Sequence, residues 1–179
     1  RVAELVSRES FDGIADFARH LPVAVVSHLV GLPEVGRERM LDWAKATFNS
    51  LGPMNARGQA AGESLLEMLA YARGVERAQL RPNGWAARLF DAVDEGEIAA
   101  ADVASLLIAY IAPSLDTTIL GAGSLLYVFG SHPDEYDRVR ANPALISAVV
   151  SEVLRFESPV RAFTRLATME SACESGRHA

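Results

Sequence analysis

Residues 152–165 read Glu-Val-Leu-Arg-Phe-Glu-Ser-Pro-Val-Arg-Ala-Phe-Thr-Arg. Glu152 and Arg155 stand three apart at the end of a helical pattern, so they share a helix face and can pair. Pro159 stops that helix, and Ser158 before it is pushed towards an extended conformation. Taken alone, the stretch predicts a helix with an ion pair followed by an extended segment. An isolated Glu-x-x-Arg is a solvated surface pair, worth about 0–1 kcal/mol.

A second stretch, 109–118, adds chemistry. It reads Ala-Tyr-Ile-Ala-Pro-Ser-Leu-Asp-Thr-Thr, inside an apolar run from Val103 to Gly130 whose single charge is Asp116. A carboxylate in such surroundings is costly unless it is paired, hydrated or protonated. Pro113 has no amide to donate to the carbonyl of Ala109, which deforms a helix. The Thr117 hydroxyl is placed to bond back to the Pro113 carbonyl. The expectation is one central helix from about Ala99 to Ser131, kinked at a polar notch. The run exceeds the ~20 residues that span a bilayer, yet Pro113, Ser114, Asp116, Thr117 and Thr118 fall at its centre, where charge costs most. A buried helix, apolar all round, accounts for it better, with no membrane.

The chain of 179 residues is half hydrophobic and carries a net charge of −6. The length suits one domain with a sizeable core. The charge argues against nucleic acid, whose binding relies on cations neutralising phosphate. The only cysteine, Cys173, excludes an internal disulfide and fits a reducing, cytoplasmic setting. The first nine residues carry charges at helical spacing and lack a signal peptide's apolar stretch. His20, His28, His132 and His178 show no metal-ligand spacing. Trp43 and Trp85 read as packing anchors.

The periodicity elsewhere is helical. Helices are expected over 1–9, from after Phe11-Asp-Gly through Val30, over 35–50 with Met40, Leu41, Trp43, Ala44 and Phe48 as the apolar stripe, and over Asn55–Gln79. Others are expected over Trp85–Val93, Pro133–Arg140 and Pro143–Phe156. Gly31-Leu-Pro, Leu51-Gly-Pro and Arg81-Pro-Asn-Gly are stops or turns. Alternation suited to a strand appears only near Val160–Thr168. The fold class is all-α.

An acid-Thr-Thr notch about 35 residues before Glu-x-x-Arg-(aromatic)-x-Ser-Pro-Val resembles the cytochrome P450 family of haem-thiolate monooxygenases, bacterial soluble type. The segment Gly130-Ser-His-Pro-Asp-Glu-Tyr-Asp-Arg-Val-Arg-Ala-Asn-Pro-Ala-Leu-Ile resembles that family's link between its long central helix and its Glu-x-x-Arg helix. Phe11-Asp-Gly-Ile-Ala-Asp-Phe-Ala-Arg-His-Leu-Pro and the residues up to Pro33 resemble the helix leading to the family's substrate roof. The resemblance covers 1–168 as a partial domain, and 169–179 form a divergent tail. It implies a P450-like helical core with a long kinked central helix.

The resemblance further implies haem as cofactor, dioxygen and a small apolar or aromatic molecule as substrates, and a ferredoxin-type redox partner. Asp116 and Thr117 match the acid and alcohol that guide protons during dioxygen cleavage. Pro113 and Ser114 stand where the family places small residues against the macrocycle. Glu152 and Arg155 match a structural ion pair that is buried in the whole family domain, with more exposure expected in this chain. Arg165 matches the arginine that holds a haem propionate, its alternative being a solvated arginine. Val160, Arg161 and Phe163 lie where the family contacts substrate, the alternative for Arg161 being a side chain that faces water. The family's ligand loop, Phe-Gly-x-Gly-x-His-x-Cys-x-Gly, is not matched by Cys173, which sits in Ser-Ala-Cys-Glu-Ser-Gly. The reading is therefore a central fragment that, alone, neither holds haem stably nor hydroxylates. A non-enzymatic helical binding module, or a degenerate relative, stands as the alternative.

Overall fold

The computed structural model describes residues 2–162. Its helices are α1 (Val2–Val6), α2 (His20–Val30), α3 (Met40–Ser50), α4 (Ala56–Ala60), α5 (Gly62–Gly74), α6 (Trp85–Asp94), α7 (Val103–Ser131), α8 (Pro133–Ala141) and α9 (Ile146–Phe156). Short 3-10 turns precede α3, α6, α7 and α9, and there is no strand among the described residues. Phe163, Arg165, Cys173 and most of the Val160–Thr168 alternation lie outside those residues.

Local chemistry sets the boundaries. The Asp12 carboxylate accepts from the amides of Ile14 and Ala15, each at 2.8 Å, and starts a wide π-type turn over Gly13–Ala18. Those two amides hold its pKa below the usual carboxylate value. The expected single helix through Val30 is thus two elements, a π-type turn and then α2. Gly31 ends α2 in the left-handed conformation, with φ 78°, which glycine adopts without a Cβ penalty. Asn55 caps α4 by accepting from the amides of Arg57 and Gly58. Pro133 and Pro143 open their elements, where a missing amide is harmless.

The helix expected over Asn55–Gln79 is divided. It breaks at Ala61, and it ends at Gly74 with Val75 extended. Val75 and Leu80 are both buried; the chain leaves the helix there so that these two side chains reach the core. Central to that core are Met40, Trp43 and Ala44 of α3, Met68 and Ala72 of α5, and Leu107, Ile111 and Leu115 of α7.

Helix α7 is the axis of the molecule and packs on α2, α3, α5, α6 and α9. Its buried positions Val103, Leu107, Ile111, Leu115 and Ile119 recur every fourth residue, a single stripe along one side. It is not buried all round as expected, since Leu120 and Tyr127 are exposed. By length and composition the span Ala100–Ser131 is long and apolar enough to cross a membrane. Among the described residues one side of α7 packs on five other helices, and Asp116 sits at its middle. Trp43 is a core residue as expected, whereas Trp85 is 43% exposed and lies against Tyr110 with ring centroids 5.8 Å apart.

Two glycines weld the bundle's edge. A Cβ on Gly84 would stand 2.6 Å from the Val30 carbonyl oxygen and 2.7 Å from the Gly31 Cα. The end of α2 and the start of α6 meet backbone to backbone.

Candidate functional site

The polar notch lies in the middle of α7, which is helical throughout Val103–Ser131. Pro113 is accommodated inside the helix. The Thr117 hydroxyl donates to the Pro113 carbonyl at 2.6 Å, the back-bond expected from the sequence. Such a bond slightly loosens a helix, and it leaves the hydroxyl oxygen as an acceptor.

Asp116 is half-buried between Leu115, which faces the core, and Thr117. Burial raises its pKa above the ordinary carboxylate value, and the Lys45 ammonium on α3 partly opposes that rise. No cation forms an ion pair with Asp116 among the described residues. Lys45 is the residue that sequence reasoning missed. It sits on the polar side of α3, between the buried Ala44 and Ala46, and only the packing of α3 on α7 brings it near Asp116.

Two hollows flank the notch. One, of about 370 Å³, lies between α7 and α9 and is lined by Thr117, Gly121, Leu125, Val153, Leu154 and Pro159 among others. A Cβ on Gly121 would approach Leu154 to 3.3 Å, so that glycine keeps the two helices close. The other, of about 290 Å³, lies between α2 and α7, with Val25, Leu29, Trp85 and Ser114 in its wall. Thr118 borders both. The structure therefore places Thr117 and Ser114 on different hollows, and Pro113 is exposed. Val160 is half-buried beside Pro159, and its carbonyl accepts from the Ser158 hydroxyl at 2.8 Å.

Glu152 and Arg155 pair as expected, through two bonds of 2.7 and 2.6 Å. The Arg155 guanidinium lowers the Glu152 pKa. Burial is expected of the pair in the whole family domain and greater exposure in this shorter chain; here the side chains are 61% and 68% exposed. The cause is the phase of α9. Val153 is its buried residue, and positions 152 and 155 flank it on the outer side. Arg161 is 82% exposed and pairs with Glu157 at 3.3 Å, which is the solvent-facing alternative.

The described residues fit one side of a flat, largely apolar macrocycle such as haem. The α7–α9 hollow is apolar, has small residues at Gly121 and Ala122, and carries an alcohol at its rim. No described residue supplies a thiolate, because Cys173 lies outside them, as does Arg165.

No protein-family profile matches the chain. It is 36% identical over 172 residues to the cytochrome P450 CYP199A2 of Rhodopseudomonas palustris, covering 95% of this chain and 42% of that protein. It is 30% identical over 152 residues to cytochrome P450 144 of Mycobacterium tuberculosis, covering 83% of this chain and 35% of that one. The chain thus spans less than half the length of the curated relatives it matches. Among solved structures it is similar to P450BioI in complex with an acyl carrier protein ligated to hexadec-9Z-enoic acid, with a TM-score of 0.88 at 22% identity, covering 99% of this chain and 47% of that one. It also resembles epothilone B-bound P450epoK, with a TM-score of 0.84 at 24% identity over 99% of this chain and 47% of the other. With relatives of that name along nearly its whole length and their helical architecture around α7, the chain belongs to the cytochrome P450 family.

Proposed function

We propose that these residues form the proton-handling and substrate-facing part of a haem-thiolate monooxygenase that hydroxylates a small apolar or aromatic molecule. The observation that carries the reading is the half-buried Asp116 with a raised pKa, beside the Thr117 hydroxyl at the rim of an apolar hollow. Haem, when bound, supplies the activation of dioxygen and the oxidising power. Everything else asked of this stretch is positioning and proton transfer.

Asp116 is suited to hold a proton longer than an ordinary carboxylate, because ionisation in its half-buried place is penalised. Thr117 both accepts and donates. By turning its hydroxyl away from the Pro113 carbonyl it can pass a proton on and be refilled by the acid. The apolar walls of Gly121, Leu125, Val153 and Leu154 are proposed to take the macrocycle, beside which an apolar substrate of modest size would lie. Ser114, in the wall of the α2–α7 hollow, and the exposed Pro113 are proposed to border the macrocycle from outside the α7–α9 hollow. Val160 and Phe163 are proposed as substrate contacts, with Arg161 at their solvent edge. Arg165 is proposed to hold a propionate by bidentate bonding. Two electrons would come from a ferredoxin-type partner in the cytoplasm. The 179 residues alone are proposed to be inactive, since Cys173 has none of the ligand loop's surroundings.

The test joins this chain to the remaining parts of its Rhodopseudomonas palustris relative, with haem and a ferredoxin-type reductant. Hydroxylated product is expected, reduced about 10²-fold or more by Asp116→Asn, the range for losing a general acid. Product formation unaffected by Asp116→Asn would refute the proton role. In the chain alone, a thiolate-type carbon-monoxide band that vanishes on Cys173→Ala would refute the inactive reading.

A further inference from the structure

The α7 hollows do not exhaust the cavities of this fold. A third, of about 450 Å³, opens between α3, α4 and α5, and its polar lining comprises Asp42, Lys45, Asn49, Arg57 and Ser64. Its lining carries two cations, Lys45 and Arg57, against one carboxylate, Asp42. Asp42 is already engaged by Arg39 at 2.5 Å, and Arg39 is further held by Glu67 at 2.8 Å. Neither Lys45 nor Arg57 forms an ion pair among the described residues. The wall also includes Ala61 and Ser64, at the start of the 13-residue helix α5. Asn49 and Ser64 add an amide and a hydroxyl that can donate. Glu63, in the same first turn, is exposed and is not part of the wall. The remaining wall is alanine, so the groove has room and donors but little apolar surface.

We propose that the α3–α4–α5 groove is a binding site for a small polar anion, a phosphate or a compact carboxylate, held by Lys45 and Arg57 with Asn49 and Ser64. Arg57 offers a planar fork to two anion oxygens. Lys45 supplies a movable point charge from the opposite wall. The ligand would be small and hydrophilic, in contrast to the apolar substrate proposed to lie beside the macrocycle, and its binding does not depend on haem.

The experiment is a titration of the purified 179-residue chain at constant ionic strength, with inorganic phosphate in one arm, succinate in a second and chloride in a third. Amide and side-chain NMR shifts of Asn49, Arg57 and Ser64 are the readout. Saturable shifts with phosphate or with succinate, and none with chloride, are expected; whichever arm saturates names the anion class. Arg57→Gln and Lys45→Gln should each weaken binding at least tenfold, while Lys45→Arg keeps it. Circular dichroism melts of each variant, matched to the parent, show that the fold is kept. Shifts that stay linear in every arm, or that saturate with unchanged affinity in Arg57→Gln together with Lys45→Gln, would overturn the proposal.

Discussion

Asp116 shows how one side chain can be set by its surroundings. Its pKa is raised by burial, against the pull of Lys45, so ionising it costs more in the folded chain than in the unfolded one. The sign follows from linkage. Below the ordinary carboxylate pKa the residue is neutral in both states and contributes no penalty. As pH rises through the ordinary value and then the elevated folded one, the penalty develops in full. Asp116→Asn should therefore be matched to the parent in strongly acidic solution and more stable than it at neutral pH. Urea melts at several pH values check this, and a difference independent of pH would contradict it. The acid itself was legible in the sequence as the single charge in an apolar run. Lys45 was not, because its place next to Asp116 depends on how α3 lies across α7. A second prediction at this scale concerns Gly84, whose missing Cβ leaves room for the Val30 carbonyl and the Gly31 Cα. Gly84→Ala should destabilise by about 1–3 kcal/mol, the usual range for overpacking, read from a denaturant midpoint.

Among the elements, α7 governs. Leu107, Ile111 and Leu115 have no accessible surface left, so Leu107→Ala should cost about 2–5 kcal/mol by transfer and cavity terms together. A chemical melt measures it, and a loss below about 1 kcal/mol would show a core far looser than described. Helix α9 behaves in the opposite way. Glu152→Gln breaks the pair with Arg155, yet both side chains face solvent, so the thermal midpoint should stay where it is at ordinary salt. The Glu-x-x-Arg pairing could be read from its spacing. How far the pair is exposed could not, since spacing fixes which residues share a face but not which neighbour that face meets. The same limit explains Asn55–Gln79. Its helical periodicity was plain, while the departure at Gly74 answers to the burial of Val75 and Leu80, which is a tertiary demand.

Across the whole molecule, apolar side chains reach the surface in register. Leu21, Val25 and Leu29 are exposed at four-residue intervals on α2, and Val150, Leu154 and Phe156 are exposed on α9. Patches of this kind promote association. The 179-residue chain should self-associate with rising concentration in sedimentation runs, and Leu21→Lys with Leu29→Lys should reduce it; a monomer at all concentrations would rule it out. The all-helical class, the central helix and the family were legible because each rests on pattern over many residues. How much of each helix is covered was not, because cover is supplied by residues remote in sequence. The contact of Gly31 with Gly84 carries one more consequence, in the domain of time. The loop amides there are not idle: Arg81 donates to the Gly31 carbonyl at 3.0 Å, Gly84 to the Arg81 carbonyl at 2.9 Å, and Gly31 to the Ser27 carbonyl at 3.0 Å. With these amides bonded where two backbones meet without room for a Cβ, their protons should trade with deuterium as slowly as those of the core helices. A connection that looks like a loop would then open only when the molecule itself does.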